Sequence, residues 1–284
     1  MALKELVSKK DIKRVVVTVP FVHIYGVLAG LLLPMELENI ELIVKEDFLP
    51  YELIKEVKRG DALIITTPVF IKALGKMSDA VDMSSSLFIS STGPLSPEDV
   101  SVFEALYTSD VMQLFGSTET GGIAYKFGSS KVWIPLKDVV VEQQNERLSV
   151  SSPYISRYLL QEGIQKLGLP FATEDIIEVS SKGFELLGRS NKIIKIAGKR
   201  ISAVAIEALL ENIEGIERAI VTLVYKKELL RSEQILITLQ SKEEYKKSFI
   251  KEKIHECYGV LTIPFKVAYV DEIKLSSMGK KVIF

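Results

Sequence analysis

Five short runs in the first 115 residues are almost wholly apolar, and they restrict the fold more than any other property of the chain. The runs fall at residues 15–19, 41–44, 62–66, 87–90 and 111–115, each of strand length and rich in Val, Ile, Leu or Phe. Helical patterns separate them, near residues 23–33, 51–58, 69–74 and 97–107. A strand with no polar face has no face to give to water, so the pattern predicts a parallel sheet covered by helices on both sides. The helix at 97–107 carries the clearest start. Ser96 sits at the N-cap, Pro97 at the first helical position, and Glu98 and Asp99 in the first turn, where the amide dipoles favour negative charge.

From Lys131 the texture changes to short strands with polar turns at 132–134, 139–143, 147–150 and 176–180, a small β-subdomain. A third region opens near Gly188. There Ile206, Leu209, Leu210 and Ile213 keep helical spacing, strands follow at 219–224 and 234–239, then a helix at 249–258 and a strand at 265–270. The expected fold class is α/β: a parallel-sheet domain with a small β-subdomain, plus a C-terminal α+β domain. The expected boundaries are 1–187 for the first domain (1–130 α/β, 131–187 the β-subdomain) and 188–284 for the second.

Composition excludes several classes. With 36 basic against 37 acidic residues the chain has no electrostatic footprint for nucleic acid. One cysteine, Cys257, forms no internal disulfide and fits a reducing cytoplasm. One Cys and two His do not fill a structural zinc site. The apolar stretch at 15–35 is broken by Pro20, His23 and Pro34, so a buried strand and helix are expected there, not a membrane span.

The most informative segment runs Leu114-Phe115-Gly116-Ser117-Thr118-Glu119-Thr120-Gly121-Gly122. It leaves a buried strand for glycines and hydroxyls around one carboxylate. Small residues let backbone N–H groups approach phosphate, and a carboxylate beside phosphate suits Mg²⁺, which takes one or two carboxylates plus phosphate oxygens. An ordinary polar turn after a strand reads equally well from these residues alone.

Phe115-Gly116-Ser117-Thr118-Glu119 resembles the aromatic-Gly-x-Thr-Glu motif of the acyl-adenylate-forming superfamily, and further motifs follow its order. Pro20 to Gly26 is similar to the acyl-pocket motif, and Ser91-Thr92-Gly93-Pro94-Leu95-Ser96 to the small-residue loop beside adenine. Phe171-Ala172-Thr173-Glu174-Asp175 resembles the aromatic-x-Thr-Gly-Asp motif. Gly188 to Ile201 looks like the hinge and the loop after it, and Ser276 to Lys280 like the motif carrying the catalytic lysine.

This resemblance implies an AMP-forming acid–thiol ligase using ATP/AMP and Mg²⁺, with CoA or a carrier-protein phosphopantetheine as acyl acceptor. It makes Lys280, Thr118 and Glu119 catalytic, Glu119 also holding the metal. It gives Gly93, Pro94, Phe115, Gly116, Ser117, Asp175 and Arg189 to the nucleotide, and His23, Tyr25 and Gly26 to the acyl pocket. Asn191 becomes the hinge, and Gly198 belongs to the thiol-transfer loop. Because Val22, His23 and Ile24 offer no carboxylate for an α-ammonium, an apolar fatty or aryl acid is the expected substrate. The pattern departs from the family at Glu174 (usually Gly), Asn191 (usually Asp) and Ile283 (often Arg). Residues 1–20 hold no Ser/Thr/Gly-rich phosphate loop. A truncated ligase, half of a split ligase completed by an N-terminal fragment, and a non-catalytic adenylate- or acyl-binding subunit all remain open on the sequence.

Overall fold

The computed structural model describes residues 2–45, 47–78, 80–160, 164–189, 193–196, 199–225, 233–260, 264–275 and 281–282. Five strands form the parallel half of the main sheet: β1 (Arg14–Val17), β2 (Glu41–Val44), β3 (Ala62–Thr66), β4 (Leu87–Ser90) and β5 (Asp110–Ser117). Their order is β2-β1-β3-β4-β5. Successive side chains of a strand point to opposite faces, and the two faces feed two separate cores. Val16, Ile64, Phe88 and Val111 pack against Leu53, Ile71, Phe103 and Tyr107 from helices α3 (Pro50–Val57), α4 (Pro68–Gly75) and α5 (Pro97–Tyr107). Val15, Val17, Leu63, Ile65, Ile89 and Met112 face the other way, onto α1 (Ala2–Val7) and the helix that follows β1.

That helix is π-helical over Gly26–Leu32 and continues as α2 (Leu33–Glu36). Gly26 seats it on the strand end, because a Cβ there would lie 2.2 Å from the Pro20 carbonyl oxygen. The N-cap expected at Ser96 is present: its Oγ accepts from the Asp99 amide at 3.0 Å. β2 differs from the expectation of two-sided burial. It is the sheet edge, with Leu42 and Val44 exposed.

The strands expected as the β-subdomain of the first domain continue the same sheet. β5 turns into β6 (Gly121–Phe127), which pairs antiparallel with it, and β6 pairs with β7 (Val132–Pro135). β7 then pairs with β13 (Gly183–Arg189), and the order closes through β12 (Phe171–Ser180), β9 (Arg147–Ser151) and β8 (Val140–Gln144). The result is one 11-stranded sheet, parallel in its first part and antiparallel in its second. A small hairpin, β10 (Tyr158–Leu160) with β11 (Ile164–Lys166), stands beside it.

The C-terminal α+β region has its own core. A hairpin of β14 (Ile193–Ile196) and β15 (Lys199–Ser202) leads into α6 (Ala203–Glu211). The sheet order β16-β17-β18 follows, from β16 (Ile216–Tyr225), β17 (Glu233–Ser241) and β18 (Phe265–Val270), with α7 (Lys247–Tyr258) packed on it. Ile206, Leu210, Ala219, Ile237, Ile250 and Ile254 form this cluster, which shares no residue with the other two.

Phe103 anchors the α5 face: it is fully buried, edge-on to Phe88 at 4.8 Å between ring centroids. Phe103→Ala removes that packing and leaves a cavity, so urea unfolding should show a loss of about 3–5 kcal/mol. A loss below about 1 kcal/mol would mean that the site collapses around the smaller side chain.

Candidate functional site

In open α/β sheets the carboxyl ends of the parallel strands meet solvent where the strand order reverses. Here the chain passes from β1 to β2 on one side and then to β3 on the other, so the reversal lies at β1. Three of the segments singled out in the sequence leave carboxyl ends of this half: residues 20–26 after β1, 91–96 after β4, and 117–120 after β5.

The segment after β4 is strained and under-bonded. Thr92 holds φ at 81°, a region a β-branched residue rarely enters, and such outliers gather at functional sites. Its Oγ1 and the Ser90 Oγ are buried without a hydrogen-bond partner. Ser91 Oγ donates to the Leu114 carbonyl at 2.9 Å, fixing this loop to β5. Gly93 and Pro94 lie exposed beside it.

The segment after β5 is not a loose glycine loop but the tip of a tight hairpin. Gly116 is required there, since a Cβ would lie 2.1 Å from the Gly121 carbonyl oxygen. Ser117 and Thr120 spend their hydroxyls on each other, at 3.0 Å, and the Ser117 amide donates to Thr120 Oγ1 at 3.1 Å. Thr118 is thereby presented outward at the tip, with Glu119 half-buried beside it. The Ser156 amide donates to the Glu119 carbonyl at 2.9 Å, tying the tip to the loop after β9. Phe115 does not stand free. It packs against Trp133 and Phe184, with centroids at 5.5 and 6.2 Å, so its ring is braced by the antiparallel strands.

Asp175 and Arg189 are direct cross-strand partners on β12 and β13. Their closest charged atoms are 3.9 Å apart, with Asp175 mostly buried and Arg189 more than half exposed. On the other side of β12 the register slips: Ala172 faces Ser149 while Ile176 faces Arg147. Residues 173–175 therefore bulge out of the ladder, a device that re-aims side chains next to active sites. Glu174, the departure from the family pattern, bonds outward to Arg147 at 3.0 Å. Ser149 Oγ, opposite Ala172, is a third buried oxygen without a partner. All three such oxygens among the described residues border segments that the resemblance gives to a nucleotide.

The acyl-pocket candidates divide. Tyr25 is buried, and its hydroxyl lies 2.8 Å from the Ile89 carbonyl and 3.0 Å from that of Thr66, bridging the ends of β3 and β4. Burial pushes its phenol well above the ordinary range, so it stays a neutral donor. Gly26 supplies close packing, and His23 is half-buried between exposed Val22 and Ile24. Lys280, Asn191 and Gly198 lie outside the described residues.

Among the described residues no three His, Cys, Asp or Glu side chains gather to hold a metal. A single carboxylate, Glu119, still fits Mg²⁺, which draws most of its ligands from phosphate and water. No helix among the described residues is long and apolar enough to cross a membrane. Sequence reasoning missed Trp133, Phe184 and Ser156, whose roles come from pairing across β7, β13 and the β9 loop and leave no local signal.

No family model matches the chain. Among curated proteins it is similar to the 4-coumarate–CoA ligase of Cereibacter sphaeroides, with 23% identity over 201 residues, 70% of this chain and 44% of that protein. Among solved structures it is similar to ATP-bound MatB from Rhodopseudomonas palustris, with a TM-score of 0.78 at 16% identity over 98% of this chain and 60% of that one. It is also similar to the O-succinylbenzoate coenzyme A synthetase MenE of Bacillus subtilis in complex with ATP and magnesium, with a TM-score of 0.78 at 16% identity, covering 98% of this chain and 62% of that one. The amide bond synthetase McbA of Marinactinospora thermotolerans gives a TM-score of 0.71 at 18% identity over 99% of this chain and 64% of that one. The chain thus spans less than half of the curated relative and under two thirds of these structures. Its fold is that of the acyl-adenylate-forming superfamily, and the resemblance carried by its motifs is borne out.

Burial, outweighing the nearby Arg189 and the Thr173 hydrogen bond, raises the Asp175 pKa above its ordinary value. A carboxyl raised on folding keeps its proton longer in the native state, so stability falls as pH climbs from the unfolded to the folded pKa. Asp175→Asn should therefore raise Tm at neutral pH and have little effect below about pH 3. An unchanged Tm at neutral pH would show that the charge is not strained.

Proposed function

We propose that the chain is an AMP-forming acid–thiol ligase acting on an apolar fatty or aryl acid. The reading is carried by the three unpartnered buried oxygens, Ser90 Oγ, Thr92 Oγ1 and Ser149 Oγ, which border the adenine loop and the Asp175 bulge. A buried hydroxyl without a partner is costly, and a site built to bond a sugar or base explains why it is kept. Phe115 offers an aromatic face for adenine, braced by Trp133 and Phe184. Asp175 accepts from ribose hydroxyls, with Arg189 beside it. Thr118, its neighbours' hydroxyls consumed in the turn, donates to the α-phosphate. Glu119 would hold Mg²⁺, which when bound would supply positive charge beside the phosphates. Lys280 meets the charge that develops as the acid's oxygen attacks the α-phosphorus and pyrophosphate leaves. A thiol sulfur of CoA or a carrier pantetheine then attacks the acyl carbon, and AMP departs.

In this reading the small region beyond residue 188 rotates about Asn191 and brings the Gly198 loop to the thiol step, in a reducing cytoplasm.

Calorimetry tests the nucleotide site. AMP should bind more tightly than ATP, because adenine, ribose and α-phosphate contacts have candidates here and the outer phosphates have none. ATP binding clearly tighter than AMP, or no binding of either, would sink the assignment. A second assay supplies preformed acyl-adenylates with CoA or a pantetheinylated carrier. Thioester should form, and Lys280→Ala should leave this transfer within about twofold while abolishing the ATP-dependent step. Tight AMP binding with no transfer from any acyl-adenylate would mark the chain as a non-catalytic adenylate-binding subunit.

A further inference from the structure

The exposed-looking end of the chain holds two adjacent lysines, and the structure assigns a distinct role to the second. Lys281 Nζ donates to Glu207 Oε2 at 3.1 Å and to the Ala219 carbonyl at 2.8 Å, and pairs with Glu211 Oε1 at 2.5 Å. Two of its three N–H donors are thus spent on hydrogen bonds, and the Glu211 carboxylate pairs with its charge. Lys281 is mostly buried, and Glu207 is almost wholly so.

The two glutamates hold more than the lysine. β16 pairs on one side with β17 and, among the described residues, has no strand on the other. On that open side the Ala219 amide donates to Glu211 Oε1 at 2.8 Å, and the Val221 amide to Glu207 Oε1 at 2.9 Å. Glu207 and Glu211, one helical turn apart on α6, stand in for a missing strand. Lys281 completes the arrangement by taking the Ala219 carbonyl and neutralising both carboxylates.

The same residue is tied back to the chain six positions earlier. Leu275 and Lys281 form an antiparallel bridge, and the Val282 amide donates to the Lys274 carbonyl at 3.0 Å. The C-terminal segment is thus fastened to α6 and β16 at the residue that follows Lys280 in the sequence.

We infer that Lys281 is a positioning residue: it clamps the base of the segment that carries Lys280 onto the Glu207–Glu211 pair. The inference rests on the reading of Lys280 as the adenylation lysine. Lys281 is mostly buried and held by two carboxylates, so its effect on chemistry passes through its neighbour.

The test compares the full chain with Lys281→Met, which keeps length and removes charge, and Lys281→Arg, which restores it. Lys242→Met, at a well-exposed lysine, is the control. Hydrogen exchange of the peptide spanning residues 272–284 reads the clamp without any activity. Lys281→Met should speed that exchange about tenfold or more, with Lys281→Arg close to wild type. In ATP-dependent acyl-AMP formation, Lys281→Met should lower kcat about tenfold, leave KM for ATP within about twofold, and leave thiol transfer from preformed acyl-AMP unchanged. Lys281→Arg should recover most of the rate.

Unchanged exchange in Lys281→Met overturns the clamp whatever the activity. Faster exchange with unaltered adenylation, while Lys280→Ala abolishes it, overturns the positioning role and leaves the proposed function standing. Adenylation insensitive to Lys280→Ala, or absent from the wild-type chain, overturns the function and the positioning role together.

Discussion

A strand buried on both faces has little place for a polar side chain in its interior. β1, β3 and β4 are such strands, with every residue from Val15 to Val17, Ala62 to Thr66 and Leu87 to Ser90 withdrawn from water. Polar chemistry is therefore displaced to the strand ends, where the chain must turn. The strained Thr92, the Thr118–Glu119 tip and the His23 segment are all products of this displacement. Their positions are set by the hydrogen-bonded register of strands whose interiors hold no polar group for the proposed chemistry.

The parallel half was legible because its signals are local. Three strands, at 41–44, 62–66 and 87–90, match the expected bounds, and the α5 start follows from one serine, one proline and two acids in a row. The antiparallel half was harder. β6 and β13 were not expected at all, and at β6 Gly121-Gly122 read as loop residues. In the structure Gly116 and Gly183 mark places where one strand's backbone touches another's. Likewise the β-subdomain was marked off within the first domain because composition changes near Lys131, whereas hydrogen bonds through β7 ignore composition and carry the sheet across.

The candidate site was legible as residue types and not as geometry. Phe115, Thr118, Glu119 and Asp175 could be picked from the sequence by resemblance. Nothing in the sequence says that Trp133 and Phe184 brace the Phe115 ring, or that Ser117 and Thr120 consume each other's hydroxyls. The Asp175–Arg189 pairing depends on a hairpin turn and a bulge, each invisible until the register is known. Lys281 is the sharpest case. Beside Lys280 it reads as a solvated tail residue, and only the fold brings Glu207, Glu211 and a strand edge to meet it.

The unbroken passage of the main sheet through β5, β6 and β7 bears on how the molecule comes apart. Melting the antiparallel strands alone would strip hydrogen-bond partners from β5 and uncover the apolar face shared by Met112, Ile123 and Phe184. The parallel and antiparallel halves are thus bound into one cooperative unit. The sheet of β16, β17 and β18 shares no strand with it, and its core shares no side chain. Heat or denaturant therefore acts on two units that share no hydrophobic core, so a single Tm is a faithful description only when both happen to open together.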